Sequence, residues 1–191
     1  MKKILVIGAT GQIGSALMTK LRKEYGTDNV VAGYIEGVPL SDELKNGGPL
    51  EIADVTNAQQ IAAIIDKYKI DSIYNLAAIL SAQAEKRPLL AWNIQIGGVL
   101  NLLEISREKG CSLFTPSSIG AFGDSSPKMK TPQETIQRPR TIYGVSKVSC
   151  ELLSDYYFYR YGVDTRSVRF PGLISYCLLY TSPSPRDYAA S

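Results

Sequence analysis

Short apolar runs alternate along the chain with longer segments in which apolar residues recur every three or four positions. The short runs predict β-strands, and they are Ile4 to Ile7, Asn29 to Ala32, Ser72 to Leu76, Ser112 to Thr115 and Thr165 to Phe170. Strands that alternate with helices in this way are typical of βαβ units. The pattern therefore predicts an α/β fold with a doubly wound parallel sheet.

The longer, periodic segments predict amphipathic helices. Their apolar positions are Ile13, Leu17 and Leu21; Ile61, Ile64, Ile65 and Tyr68; and Trp92, Ile96, Leu100 and Leu103. Gly26 is placed to end the first helix and Pro88 to begin the third. Either Thr56 or Asn57 is expected to cap the second.

The rest of the chain contains two predicted loops and one more helix. Residues 36–49 and 123–140 are rich in Gly, Pro and polar side chains, which predicts irregular loops. A long helix is predicted from about Tyr143 to Tyr161. A length of 191 residues with 45% apolar content fits one folded domain, which we assign to residues 1–176.

Composition argues against several classes of function. The net charge of +3 is small and dispersed, so no nucleic-acid partner is expected. The chain has no histidine, and Cys111, Cys150 and Cys177 form no close pair, so neither a metal site nor a disulfide framework is expected. The apolar run before Gly8 is too short for a signal peptide, and no stretch is expected to span a membrane. We therefore expect a cytoplasmic protein without a membrane partner.

A glycine-rich loop follows the first predicted strand and precedes the first helix. It reads Gly8-Ala9-Thr10-Gly11-Gln12-Ile13-Gly14. Glycines at this spacing let the backbone approach a pyrophosphate, and the helix N-terminus offers free N–H groups and the positive end of its dipole. Structural tight turns show the same spacing, but the position between strand and helix favours a dinucleotide. The residues predicted to bind it here are Gly8, Gly11, Gln12, Ile13 and Gly14.

The end of the second predicted strand indicates which dinucleotide binds. An acidic residue is expected there to hold the adenosine ribose, whereas this chain has Gly33-Tyr34 and then Glu36. Tyr34 is a candidate to cover the adenine, or else a surface aromatic. Because no Lys or Arg directly follows the strand to neutralise a 2′-phosphate, NAD is favoured over NADP. Asp54-Val55, after a third short strand, is placed to contact the adenine; the alternative for Asp54 is a loop aspartate.

Three side chains form a candidate catalytic set. Tyr143 and Lys147 share one face of a helix start, and Ser118 lies at the end of a predicted strand. A nearby ammonium and a positively charged nicotinamide both favour the phenolate, so we expect the pKa of Tyr143 to fall toward the working range. Tyr143 would then accept a hydroxyl proton while Ser118 orients the substrate oxygen. The alternative is a structural aromatic residue beside a solvated lysine.

Together these residues resemble the extended short-chain dehydrogenases, which have a Rossmann fold. The resemblance also rests on Asp54-Val55, Asn75-Leu76-Ala77-Ala78 and Asn93 before Gly97-Gly98. It is closest to the short-chain type of L-threonine 3-dehydrogenase and covers residues 1–176, through the segments 76–82, 115–123, 138–147 and 166–176. Carried over by position, further residues implied to contact NAD are Leu76, Ala77, Ala78, Asn93, Tyr143, Lys147 and Pro171. Those implied to contact the substrate are Ser81, Ser118 and Tyr143.

The resemblance implies the NAD-dependent oxidation of the small molecule L-threonine to L-2-amino-3-oxobutanoate, by a homodimer that pairs its helices near 88–107 and 143–161. Tyr34 departs from the family, which usually has aspartate there. A sugar-nucleotide epimerase or dehydratase is one alternative, but such enzymes usually carry an Asn near the position of Pro171. A non-catalytic NAD-sensing module is a second alternative. The complete set of Ser118, Tyr143 and Lys147 argues against it, because a sensor needs no proton acceptor.

Residues 177–191 are predicted to be a non-native tail. The string from Cys177 to Asp187 is similar to a translated sequencing-library transposon adapter, and the alternative is a native Ser/Pro-rich tail. Family members continue beyond Tyr176 into a lobe that covers the cleft. We therefore expect a fragment that is truncated before its C-terminal substrate lobe, binds NAD weakly or is poorly soluble, and has little or no turnover of its own.

Overall fold

The computed structural model describes residues 2–173, so the predicted tail over residues 177–191 lies outside the described residues. The strands are β1 (Ile4–Ile7), β2 (Val30–Tyr34), β3 (Leu50–Ile52), β4 (Ser72–Asn75), β5 (Ser112–Phe114), β6 (Ser117–Ser118), β7 (Thr165–Arg166) and β8 (Arg169–Phe170). Six of them form a parallel sheet in the order β3-β2-β1-β4-β5-β7, and β6 pairs with β8 in a second, two-stranded sheet. The strand order reverses beside β1, as in Rossmann folds. The predicted doubly wound parallel sheet is confirmed.

The helices are α1 (Gln12–Tyr25), α2 (Asp42–Asn46), α3 (Ala58–Tyr68), α4 (Ser81–Lys86), α5 (Pro88–Trp92), α6 (Gly98–Lys109) and α7 (Ile142–Tyr161). A π-turn, Asn93–Gly97, joins α5 to α6. As predicted, Gly26 ends α1. Asn57, rather than Thr56, caps α3 by accepting a hydrogen bond from the N–H of Gln60.

Strand β1 separates two apolar clusters. Leu5 and Ile7 belong to the cluster that also contains Ile61 of α3 and Leu102 of α6. Ile4 and Val6 belong to the other cluster, which is completed largely by residues of α1 and β2. All four residues of β1 are buried, since helices cover both faces of the sheet. This placement explains why the strand reads as a continuous apolar run, and it fixes the loop that follows at Gly8.

The C-terminal strand was predicted as one element, and this prediction was wrong. The chain from Thr165 to Phe170 forms two strands, because β7 pairs with β5 in the main sheet whereas β8 pairs with β6. The second strand is also shifted relative to its prediction, beginning at Val30 and extending to Tyr34.

Two short helices, α2 and α4, were not predicted from the sequence. Helix α2 lies within the predicted loop 36–49, where the hydroxyl of Ser41 accepts a hydrogen bond from the N–H of Leu44. Helix α4 is too short to show a periodic pattern.

Trp92 was predicted on the buried face of the third helix but is 43% exposed. The π-turn that follows it changes which side chains face the core.

The continuous helical stretch Pro88–Lys109 is long and apolar enough to cross a membrane, contrary to the expectation that no stretch is. Half of its most apolar window is buried within the protein. Val99, Leu102 and Leu103 are buried in the same cluster as Leu5. Such burial is typical of a core helix, which passes the same length and composition test.

Candidate active site

The glycine-rich loop is held against the neighbouring strand and helix. The N–H groups of Gly8 and Ala9 both donate to the carbonyl oxygen of Gly33, at 3.0 and 2.9 Å. Gly8 has φ +83°, which favours glycine. A Cβ atom on Gly14 would lie 2.1 Å from the carbonyl oxygen of Gly8. The protein's own packing therefore accounts for two of the three glycines.

Gly11 is different, because the protein itself leaves room for a side chain there. A Cβ atom on Gly11 would contact only the carbonyl oxygen of Gly8, at 3.4 Å. Gly11 also precedes α1, whose N-terminus has no side-chain cap and no acidic residue in its first turn. Gln12 and Ile13 in that turn are half-buried. The loop thus offers an open approach to a helix N-terminus, which fits the pyrophosphate of NAD.

Two of the predicted adenine contacts, Asp54 and Val55, have other partners within the protein. Asp54 Oδ1 accepts hydrogen bonds from the N–H and the hydroxyl of Thr56, at 2.9 and 2.8 Å, so it shapes its own turn. Val55 is buried against Gly98, where a Cβ atom would lie 2.6 Å from its side chain. Tyr34 ends β2 and is half-buried. Through its Oδ1 atom, Asp54 therefore acts as a loop aspartate, as the alternative interpretation predicted.

The segment after β4 lies beside the glycine-rich loop. The N–H of Leu76 donates to the carbonyl oxygen of Ile7 at 2.8 Å, which holds Leu76 next to Gly8. Asn75 is buried, and its Oδ1 accepts a hydrogen bond from the N–H of Ala77 at 3.2 Å. Ala78 is exposed. Asn75, which was not predicted as a site residue, therefore shapes the turn beside the glycine-rich loop; the available signal was a polar residue at the end of a buried strand.

Two further predicted cofactor contacts lie on the protein surface. Asn93 is exposed at the start of the π-turn, and Pro171 is exposed directly after β8. The side-chain oxygen of Asn93 lies 3.1 Å from where a Cβ atom on Gly97 would be. Their contacts with NAD stay predictions.

Ser118, Tyr143 and Lys147 lie together. The hydroxyl of Ser118 accepts a hydrogen bond from the N–H of Gly120 at 3.1 Å. It lies beside Tyr143, since a Cβ atom on Gly120 would lie 3.4 Å from Ser118 Oγ and 3.3 Å from the Tyr143 ring. Gly120 allows the close approach of the Tyr143 ring, because a Cβ atom there would lie 3.3 Å from it. Lys147 Nζ lies 5.5 Å from the centre of that ring and donates to the carbonyl oxygen of Pro116 at 2.9 Å.

The electrostatics correct one expectation about this set. Burial raises the pKa of Tyr143, and the nearby hydroxyl of Ser118 opposes the shift only in part. Burial also lowers the pKa of Lys147. The protein's own groups therefore do not bring the pKa of Tyr143 toward neutrality, because desolvation outweighs them and the lysine ammonium is directed to the carbonyl of Pro116.

The predicted substrate residue Ser81 begins α4 and is half-buried. Glu85, on the same helix, accepts a hydrogen bond from the N–H of Ile142 at 2.7 Å. Ile142 is the first residue of α7, and Tyr143 follows it. The carboxylate of Glu85 therefore connects the helix that carries Ser81 to the helix that carries Tyr143.

Replacing Glu85 with alanine is expected to lower the free energy of unfolding by about 1 kcal/mol, because α7 loses a charged acceptor at its N-terminus. Glu85→Gln keeps an oxygen acceptor and is expected to lose less. Urea unfolding followed by circular dichroism measures both variants. An equal loss for the two, or none, would contradict this role.

The comparisons with known proteins agree with this geometry. A family model described as "NAD dependent epimerase/dehydratase family" matches residues 4–183. An uncharacterized epimerase/dehydratase of Staphylococcus haemolyticus is 56% identical over 176 residues, which are 92% of this chain and 55% of the relative. The chain therefore spans about half the length of the curated relatives that it matches.

Solved structures of threonine dehydrogenases are similar as well. The L-threonine dehydrogenase from Clostridium difficile is 56% identical, with a TM-score of 0.89 over 92% of this chain and 55% of that one. The holo form of the GalE-like L-threonine dehydrogenase from Cupriavidus necator is 41% identical, with a TM-score of 0.86 over 95% and 57%. The cofactor is NAD, and the open approach at Gly11 fits it. This chain, with its doubly wound sheet and its glycine-rich loop, belongs to the NAD-dependent epimerase/dehydratase family.

Proposed function

We propose that the complete protein containing this chain oxidises L-threonine to L-2-amino-3-oxobutanoate with NAD. The observation that carries the proposal is the grouping of Ser118, Tyr143 and Lys147, which supports proton removal from a hydroxyl group. The similarity to threonine dehydrogenases directs the choice of substrate.

The reaction removes a proton from the β-hydroxyl of threonine and a hydride from the carbon that bears it. NAD, when bound, supplies the hydride acceptor. Ser118 orients the hydroxyl through its Oγ atom, and the Oη atom of Tyr143 accepts the proton as the ketone forms. Because burial raises the pKa of Tyr143 in the free protein, the phenolate needs further positive charge, which the nicotinamide ring of bound NAD would add to that of Lys147.

The substrate pocket includes Ser81 in this proposal. Its helix is joined to the start of α7 by Glu85, which keeps Ser81 and Tyr143 in a fixed relation. The residue after β8 is Pro171, and Asn is absent from residues 169–173. This segment favours the amino alcohol over a sugar nucleotide.

We also propose a cytoplasmic homodimer. Helix α7 exposes an apolar stripe with helical spacing, made by Val145, Leu152 and Tyr156. Leu89 and Trp92 of α5 are exposed as well. The occupant proposed for these surfaces is the same pair of helices from a second copy, which would bury them. Sedimentation of the complete protein as a monomer would contradict this assembly.

The activity of the complete protein tests the function. With L-threonine and NAD we expect NADH to form in step with the aminoketone, and with UDP-glucose we expect no conversion. Interconversion of the sugar nucleotide without threonine oxidation would favour an epimerase. Tight NAD binding without turnover of either substrate would favour the NAD-sensing module, and both of these results would contradict the proposal.

A further inference from the structure

Glu151, one helical turn after Lys147 on α7, lies at the centre of a polar cluster that the sequence analysis did not identify. Its carboxylate accepts hydrogen bonds from the hydroxyl of Ser117 and from Gln137 Nε2, the latter at 2.9 Å. Two nitrogens of Arg169 donate to the same carboxylate, at 2.9 and 2.7 Å. The side chains of Glu151 and Arg169 are only 14% and 19% exposed. An ion pair with this geometry and burial differs from a solvated surface pair.

The cluster connects four parts of the fold. Ser117 of β6 and Arg169 of β8 are register partners in the small sheet. Gln137 belongs to the loop over residues 123–140, and Arg169 also donates to the carbonyl oxygen of Gln133 in that loop, at 3.0 Å. One carboxylate on α7 therefore binds both strands of the small sheet directly, and a segment of the irregular loop as well.

Ser117 lies between Pro116 and Ser118 in sequence. These two neighbours contact Lys147 and Tyr143, respectively. Pro116, before it, accepts the hydrogen bond from Lys147 Nζ. Ser118, after it, lies beside Tyr143, because its Oγ atom and the Tyr143 ring both lie within 3.4 Å of the point that a Cβ atom on Gly120 would occupy. A movement of Ser117 would displace both neighbours, because they share its backbone.

We propose that Glu151 is a positioning residue, which holds Ser117 so that the carbonyl of Pro116 and the hydroxyl of Ser118 stay aligned with Lys147 and Tyr143. The expected effect on kcat rests on the proposed function. The arrangement of Glu151 and Ser117 does not, because it follows from the hydrogen bonds of the described residues alone.

The charge of Glu151 also acts on Lys147. Burial opposes ionisation of Glu151, but the hydrogen bonds from Arg169, Ser117 and Gln137 outweigh it and hold its pKa below the usual range. Burial lowers the pKa of Lys147, and the charge of Glu151 opposes that shift.

The other titratable groups near Glu151 and Lys147 do not take over the effect of the Glu151 charge on Lys147. Burial raises the pKa of the Cys150 thiol to about 11, so Cys150 carries no charge at neutral pH. Asp155 interacts with Arg169, and the centre of the Tyr143 ring lies 5.5 Å from Lys147 Nζ. Removing the charge of Glu151 is therefore expected to lower the pKa of Lys147 further.

Glu151→Gln in the complete protein tests the proposal. We expect kcat for threonine oxidation to fall by about 10²-fold, because misalignment of a reacting group is costly, with the KM for L-threonine and the Kd for NAD little changed. The pH profile of kcat is expected to shift as well. Asp155→Asn is the matched control, since it removes the same charge one turn further along α7 at an exposed position; we expect its kinetics to match the wild type.

A second variant removes the risk that Glu151→Gln leaves Arg169 unpaired and unfolds the protein. Glu151→Gln/Arg169→Gln contains no buried unpaired charge, and its kcat is expected to stay low. A wild-type kcat and pH profile in a folded variant would overturn the proposal. The proposal would also be overturned if the loss of kcat in each variant were no larger than its loss of folded protein.

The pKa of Lys147, measured by NMR on lysine-labelled protein and assigned with Lys147→Met, separates this proposal from the proposed function. If the wild-type protein does not oxidise threonine, the proposed function fails, and a fall in this pKa in Glu151→Gln still supports the role of Glu151. An unchanged pKa overturns it.

Discussion

Replacing Tyr143 with phenylalanine is expected to abolish threonine oxidation by the complete protein, with kcat falling by about 10²- to 10⁴-fold. The substitution removes only the Oη atom, which is the proton acceptor in the proposed reaction. The ring is kept, and it continues to fill the space beside Gly120, so the start of α7 is expected to keep its position. NAD binding is therefore expected to survive, and the loss is expected in kcat.

Single-turnover formation of NADH measures the chemical step, and calorimetry measures the affinity for NAD. Tyr159→Phe is the matched control, because it removes a phenol oxygen from the same helix at a position that is 84% exposed. We expect this control to behave as the wild type. Turnover that survives in Tyr143→Phe would show that Tyr143 is not the base, and a parallel loss of NAD affinity would show that its hydroxyl also contributes to NAD binding.

Local spacing was sufficient for the parts of the fold and site that depend on neighbours in sequence. The run Ile4–Ile7 is buried on both faces, so its apolar character needs no knowledge of its partners. Tyr143 and Lys147 lie on one helix, so their separation alone predicts a shared face. The glycine-rich loop is predictable for the same reason, since strand, turn and helix follow each other directly.

Contacts between distant segments were beyond the reach of these patterns. Glu151 meets Ser117 and Arg169 across 34 and 18 positions of sequence, and their meeting depends on the break between β7 and β8. The sequence from Thr165 to Phe170, which was predicted as one strand, does not indicate that break. The direction of Lys147 Nζ is a similar case, because its acceptor, Pro116, is 31 positions away. Helical spacing shows on which face of the helix a side chain lies. It does not show which distant group that side chain contacts, or how this contact and burial change its pKa.

Gly14→Ala is expected to lower stability and Gly11→Ala to weaken NAD binding, because the two glycines are required for different reasons. The methyl group added at Gly14 would lie 2.1 Å from the carbonyl oxygen of Gly8 and 2.9 Å from the Cα of Ala9. Both contacts are with backbone, so no side-chain rotation relieves them, and the first turn of α1 must move away from β1. We expect Gly14→Ala to lower the free energy of unfolding by about 3 kcal/mol, although alanine is the better helix former.

Gly11→Ala is expected to leave the stability nearly unchanged, because its methyl group meets only the carbonyl oxygen of Gly8, at 3.4 Å. That methyl group would instead occupy the open approach to the N-terminus of α1, so the Kd for NAD is expected to rise about 10-fold, a cost of about 1.4 kcal/mol. Thermal unfolding with and without NAD, together with calorimetry, measures both quantities. If Gly11→Ala destabilises the free protein as much as Gly14→Ala, Gly11 is also structural. If it binds NAD as the wild type does, the pyrophosphate does not pass Gly11, and the fit of this loop to the cofactor is wrong.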